Sequence, residues 1–467
     1  MSVGWEVRIP RDLFEKLYKH LFSRGRGEHG AVLAAGVAQS GTRQRLLVRN
    51  MFLAKDGRDY LPGTRGYRML SADFVRDRIL FCRTERLAYL AVHNHGPGDS
   101  VGFSPIDLAS HERGYQALLD VANGPPVGAL VFASNAVAGD IWERDGSRSE
   151  VSRLTVVGPP VISLTPRPAA DTAKSPIFHR QSLLFGDSGQ AILNHLKVGI
   201  VGCGGIGSLL VEYLSRAGIG HLVAVDPDVV EVSNLPRLIG ARRSDISHKT
   251  EPSGRPRPAK RKVALARRLA TTANPDATFQ GIVGEFQDPQ VARQFLDCDY
   301  LFLAADSMQA RFLFNAVVQQ YFIPGWQVGS KALVDQDTGA VLTAFSVVRP
   351  IGPGSGCLWC NELVTPSGLQ FESKTPQERR DQQYVLDPAV QAPSVITLNA
   401  VGAGIAANDF LFTALGLQKS AGHDYIKMSP LAREVRFEQP RQDLACPECG
   451  SSGRFGRGDA VRLPTRQ

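Results

Sequence analysis

The chain has 467 residues, of which 43% are hydrophobic and 21% charged, with a formal net charge of +8. That length exceeds what one ordinary core organises and predicts two or three domains. No run of about 18 uninterrupted apolar residues exists, which argues against a membrane span, and the basic excess lacks the aromatic interleaving of a nucleic-acid platform. The first residues, MSVGWEVRIPRDLFEKL, carry acids and lack the apolar centre of a secretory signal. Seven cysteines, four of them in two C-x-x-C pairs, predict a reducing cytoplasm and metal ligation rather than a disulfide framework.

In chain order, Arg11–Phe22 reads as a helix with Leu13, Phe14, Leu17, Tyr18 and Leu21 on its apolar face. Gly30–Gly36 and Arg45–Leu53 read as strands and Ser71–Cys82 as a helix. Leu87–Val92 is an apolar strand that delivers His93; Pro105–Asp120 is a helix and Val127–Ala133 a strand. We therefore expect a mixed α/β domain over 1–157, a linker rich in Pro, Ala and Thr over 158–176, and a second domain over 177–450. From Ile177 onward strands and helices alternate, the pattern of a doubly wound parallel sheet. Val395–Leu417 is apolar but carries Asn399, Asn408 and Asp409, which suits a buried or interface helix. The Gly- and Arg-rich end, 451–467, reads as a loose tail. The basic run Arg242–Lys262 reads as a solvated, Pro-broken loop or as an anion-attracting rim.

A first candidate site follows the strand at 87–92. His93 and His95 stand two apart at its end, so both imidazoles point the same way and reach one metal ion. Asp107, in the first turn of the next helix, supplies a third ligand and leaves a fourth tetrahedral position for water, the arrangement of a catalytic zinc. Glu28, before an apolar strand, is the candidate base, and Ser104 the candidate donor to a developing oxyanion. Together these residues resemble the JAB/JAMM (MPN-type) metalloproteases over about 1–150. The chain departs from that family in one respect: Gly96 precedes Pro97, and eight residues separate His95 from Ser104 where the family has seven.

The second candidate site is a strand–glycine–helix–strand unit, Val198–Asp226, with Gly202, Gly204 and Gly207 in G-x-G-x-x-G spacing and Gly205 in addition. Bare glycines and a helix N-terminus receive phosphate, and an acid at the next strand tip receives ribose hydroxyls, so a dinucleotide and ATP fit equally. The continuation Asp226-Pro-Asp228 to Ser233-Asn234-Leu-Pro-Arg237, with Phe178-His-Arg180-Gln181 upstream, resembles the ThiF/MoeB/HesA adenylyltransferases, relatives of ubiquitin-activating enzymes. Lys262, Asp306 and Arg311 fall where that family has a lysine, an aspartate and an arginine. The resemblance implies a Rossmann-like adenylation domain that uses ATP and Mg2+. Asp226 and Asn234 would contact the nucleotide, Arg237 and Lys262 would offset charge, and Asp306 would hold magnesium. It further implies a homodimer in which Arg180 reaches the nucleotide across the interface, and a small β-grasp ubiquitin-like or sulfur-carrier protein ending in Gly-Gly as substrate. A nicotinamide dehydrogenase, adenylation of a free peptide or small acid, and a non-catalytic scaffold are the alternatives.

Cys357-x-x-Cys360 and Cys446-x-x-Cys449 have the spacing of a closed four-cysteine zinc site, which the same family carries as a structural metal; a redox pair is the alternative. Between Cys360 and Cys446 there is no cysteine to form a thioester.

Overall fold

The computed structural model describes residues 4–22, 27–39, 41–61, 69–168, 176–246, 258–335, 337–374, 393–418 and 424–466. They divide into two compact units. The first holds the residues up to 168 with Gln319–Phe322 and Gly450–Arg462, and the second holds the remainder.

The first unit runs β1 (Trp5–Pro10), α1 (Arg11–Leu21), β2 (Gly30–Ala38), β3 (Arg45–Leu53), α2 (Ala72–Glu85), β4 (Ala88–Asn94), α3 (Pro105–Ala122), β5 (Val127–Phe132), β6 (Val137–Trp142), β7 (Arg148–Val157) and β8 (Ile162–Leu164). The strands pair in the order β1-β3-β2-β4-β5-β6-β7-β8, and β7 also pairs with β1, so the sheet closes on itself. One face packs with α1 through Phe14, Leu17 and Leu21; the other buries Phe74 and Ile79 of α2 and Tyr115 and Leu119 of α3. Closure puts β1 between two strands and buries its charges. Glu6 accepts from Arg8 and Arg45, both at 3.1 Å. Burial alone would raise the Glu6 pKa, but Arg8, Arg153 and Arg45 outweigh it and hold the carboxyl well below its usual range.

Two expectations differ from the structure here. Part of the segment read as a linker is strand: β8 pairs antiparallel with β7, with Leu164 buried, while 169–175 lie outside the described residues. The segment read as a loose tail belongs largely to the first unit. Arg49 donates to the carbonyls of Ser451 and Phe455, and Arg457 reaches Glu85 at 3.0 Å. Glycine and arginine content signals a loop; it says nothing about what the loop packs on.

The second unit contains α4 (His179–His195), β9 (Lys197–Val201), α5 (Gly205–Arg216), β10 (His221–Val225), α6 (Lys262–Ala273), β11 (Thr278–Ile282), α7 (Pro289–Gln294), β12 (Tyr300–Leu303), α8 (Met308–Tyr321) up to Val318, β13 (Gly325–Val334), β14 (Val341–Ile351), α9 (Pro366–Ser373), α10 (Ile396–Ala414), β15 (Tyr425–Ser429) and β16 (Glu434–Glu438). Its sheet order is β11-β10-β9-β12-β13-β14-β15-β16. The first five strands are parallel and are followed by three antiparallel ones. The order reverses at β9, so the carboxyl ends of β9, β10 and β12 open on a crevice, where ligands bind in such sheets. Among the described residues no helix is long and apolar enough to cross a membrane.

Candidate functional site

The crevice is a cavity of about 620 Å3 lined by Gly202, Gly204, Gly205, Asp226, Asp228, Asn234, Arg237, Lys262 and Asp306, with Arg311 beside them. Local folding explains how each arrives. The turn after β9 puts Gly202 at φ +92°, and α5 starts at Gly205, so its first N–H groups face the cavity. Gly207 does not line the cavity. It faces the preceding turn, where a Cβ would lie 1.8 Å from the Gly202 carbonyl oxygen, so its service is close packing of helix on strand.

Asp226, at the tip of β10, accepts from the Cys203 N–H at 2.7 Å and the Asp228 N–H at 2.9 Å. Burial raises its pKa above the ordinary carboxylate value, against the opposing pull of Lys262 and these two amides. Val230 N–H donates to the Lys260 carbonyl and Lys262 N–H to that of Asp228, so backbone bonds bring the start of α6 to the tip of β10. Lys262 Nζ thereby comes within 2.7 Å of Asp228 Oδ2 and 3.9 Å of Asp226 Oδ1. Asn234 is buried, and its Oδ1 accepts from the Glu231 N–H at 3.2 Å, which shapes the turn that presents Arg237. Arg180 lies exposed on α4 and is not part of the cavity wall.

Sequence reasoning missed several lining residues. Asn399 of α10 accepts from Ser330 Oγ at 2.6 Å, and Gln327 of β13 accepts from Arg349 at 2.6 Å. Gln287, after β11, also lines the wall. None belongs to a short motif; each reaches the cavity through sheet order. Of the basic run, 247–257 lie outside the described residues. Its two ends converge on buried Asp245, which takes Arg268 at 2.7 Å and Lys260 at 2.9 Å.

The chain belongs to the ThiF family. The match to that family covers residues 178–450, more than half of the sequence. Three relatives are similar over parts of it. The SAMP-activating enzyme E1 of Haloferax volcanii is 33% identical over 139 residues, 30% of this chain and 47% of that protein. The sulfur carrier protein ThiS adenylyltransferase of Bacillus subtilis is 31% identical over 194 residues, 41% of this chain and 52% of that one. The adenylyltransferase and sulfurtransferase MOCS3 of Sus scrofa is 46% identical over 82 residues, 17% and 18%. The chain thus spans about half, or less, of the length of these relatives. A crystal structure of E. coli MccB with MccA-N7isoASN covers 59% of this chain and 75% of that one, at 19% identity and a TM-score of 0.46.

The four motif cysteines of this ThiF-family chain meet as expected from their spacing. Cys357 and Cys360 sulfurs are 3.7 Å apart, Cys357 and Cys446 3.8 Å, and Cys360 and Cys449 3.5 Å. Thiolates at about 2.3 Å from a tetrahedral zinc stand about 3.8 Å apart, so the cluster fits that ion.

The residues of the first candidate site also converge. His93 and His95 Nε2 are 3.3 Å apart, and they lie 3.6 Å and 3.5 Å from the two oxygens of Asp107. Nitrogen ligands at about 2.0–2.1 Å from a tetrahedral zinc are about 3.3–3.4 Å apart, so this set is metal-sized as well. Gly30 pairs with His93 in the β2–β4 ladder and the His29 N–H donates to Asn94 Oδ1, so Glu28 enters β2 at the end of the ladder from which His93 and His95 arise. Ser104 caps α3: its Oγ accepts from the Asp107 N–H and donates to Asp107 Oδ2 at 2.7 Å. In this structure the Ser104 hydroxyl is therefore engaged with Asp107 as the cap of α3. Burial pushes the Asp107 carboxyl up, but His93 and Ser104 outweigh it and keep the group well below the usual range.

Proposed function

We propose that the ThiF-family part of the chain adenylates the C-terminal carboxylate of a small β-grasp protein, a ubiquitin-like or sulfur-carrier partner ending in Gly-Gly, with Mg-ATP. The observation that carries this reading is the gathering of the glycine turn, Asp226, Arg237, Lys262 and Asp306 around one cavity. Two relatives named for activating SAMP and for adenylating ThiS support the choice of acid.

A carboxylate oxygen of the partner attacks the α-phosphorus of ATP. The bond from that phosphorus to the bridging oxygen breaks, and acyl-adenylate and pyrophosphate are the products. Two anions must approach each other, and Arg237 and Lys262 offset that repulsion, while N–H groups at the start of α5 receive phosphate oxygens. Asp226 would accept from the ribose hydroxyls and Asn234 would add a ribose or phosphate contact. Asp306 would hold magnesium, whose charge adds to that of the two cations. Arg180 would reach the nucleotide from a second copy in a homodimer.

The first domain, in this reading, is a zinc peptidase or isopeptidase that trims the same partner or releases it from conjugates. His93, His95 and Asp107 would hold the metal, which supplies Lewis-acid activation of a water molecule. Glu28 would accept that water's proton and deliver it to the leaving amine. The zinc held by the four cysteines would be structural.

Pyrophosphate–ATP exchange that requires the intact partner tail tests the proposal. Exchange that is absent from zinc-replete protein supplied with Gly-Gly-ending partners overturns the adenylation reading. Absence of cleavage of tail-extended or conjugated partners overturns the peptidase reading.

A further inference from the structure

One amide on the cavity wall has its direction fixed by the neighbouring strand. Gln327 of β13 and Arg349 of β14 are directly opposed in the antiparallel ladder, so their side chains stand side by side on one face of the sheet. Arg349 Nη1 donates to Gln327 Oε1 at 2.6 Å. A guanidinium carries donors only, so the amide oxygen must face it and the NH2 end must face away. There Nε2 lies 3.4 Å from the point where a Cβ on Gly329 would stand, and Gln327 and Gly329 both line the cavity. Gln327 is 3% exposed, and its NH2 group has no acceptor among the described residues. A donor held at a nearly dry wall without an acceptor is a place for a ligand oxygen.

The surroundings narrow that ligand. The Arg349 guanidinium lies over the ring of Tyr425 at 5.6 Å, and Tyr425 is buried. Burial lowers the Arg349 pKa and the neighbouring Arg311 adds to that, while Tyr425 and Glu438 oppose it. Arg311 lines the same end of the cavity, and its Nε is buried without a hydrogen-bond partner. Neither arginine forms an ion pair among the described residues. Two cations and a free amide donor call for an acceptor that carries negative charge. Strand order says which reactant reaches them. Gln327 pairs with Leu303 at the end of β12, so it stands two strands, about 10 Å, from the glycine turn and on the side away from Asp226. A nucleotide with phosphates at that turn and ribose at Asp226 runs toward β10 and leaves the β13 end to the second reactant.

We propose that Arg349 is a positioning residue: by holding the Gln327 oxygen it commits the amide NH2 to the cavity, where that group donates to a carboxylate oxygen of the acid to be adenylated. The assignment rests on the adenylation reading of this cavity.

Pyrophosphate–ATP exchange against concentration of a Gly-Gly-ending β-grasp protein tests it in the full-length native chain, Gln327→Met, Arg349→Leu, Arg349→Lys and the double variant Gln327→Met with Arg349→Leu. ATP affinity by calorimetry and thermal unfolding are recorded beside it. Gln327→Met and Arg349→Leu are each expected to raise KM for the acid about tenfold and to leave ATP affinity within about twofold of native. Arg349→Lys is expected to stay near native, since an ammonium also donates to the amide oxygen. The double variant is expected to match Gln327→Met alone, because Arg349 acts through that amide. A native KM for the acid in whichever of Gln327→Met and Arg349→Leu folds overturns the assignment. So does an equal loss of ATP affinity, or a double variant in which the two effects multiply. Absence of exchange by the native chain with every such protein overturns instead the adenylation reading beneath it.

Discussion

Lys262 holds its ammonium 2.7 Å from the Asp228 carboxylate, on the rim of the cavity proposed to receive ATP. The charge is thus parked against an exposed acid and lies within 3.9 Å of the buried Asp226. A triphosphate, carrying more charge than one carboxylate, draws the flexible side chain inward without moving the helix that bears it.

Lys262→Ala is therefore expected to lower pyrophosphate exchange by about 100-fold or more. The unfolding midpoint should scarcely move, because the pair with Asp228 is exposed on one side. Exchange kinetics beside a thermal melt check this; a variant with native exchange removes Lys262 from the mechanism.

Asp245 supplies a pH signature. It is 0% exposed, paired with Arg268 and Lys260, and accepts from the Arg242 N–H. The Arg268 hydrogen bonds are the largest influence and hold its carboxyl well below the ordinary value, outweighing burial. Because the folded value lies below the unfolded one, the stabilisation is fully present above about pH 4 and is lost as the pH falls from there through the folded value. Asp245→Asn is expected to cost about 2 kcal/mol at pH 7. In denaturant titrations between pH 7 and pH 3 the gap to the native chain should narrow only below about pH 4.

The two ligand clusters predict a metal count. Plasma emission analysis should find two zinc ions per chain, one lost in His93→Ala and the other in Cys446→Ser. Cys446→Ser should also lower the unfolding midpoint, since a closed four-cysteine site contributes folding free energy, whereas His93→Ala should leave it near native. A single zinc that His93→Ala does not displace would remove the metal from the first domain.

Packing of the chain's end onto the first domain is testable at one backbone contact. A Cβ on Gly36 of β2 would lie 2.0 Å from the Gly456 carbonyl oxygen. Gly36→Ala is expected to destabilise the protein by about 1–3 kcal/mol through overpacking. Increased proteolysis after Gly450 in that variant, read by mass spectrometry, is the accompanying observation. An unchanged melt and cleavage pattern would place the segment elsewhere.

What the sequence determined by itself was chemistry carried on short spacings. Two histidines two positions apart at a strand end, a C-x-x-C turn and a glycine turn between strand and helix each constrain their geometry within a few residues, and the structure brings each of these sets together. Tertiary structure alone decided what depends on distant partners. Glu6 and Arg8 alternate with Trp5, Val7 and Ile9 as a half-solvated strand would, yet closure of the sheet buries them among Arg45 and Arg153. Gln287, Asn399 and Ser330 line the cavity because strand order carries three remote segments to one crevice, and residues 450–462 pack on the first domain rather than trailing from the second. Local spacing is set by backbone geometry, which the sequence carries in each window; burial and convergence are set by which distant surfaces exclude water together, and no window of sequence contains that.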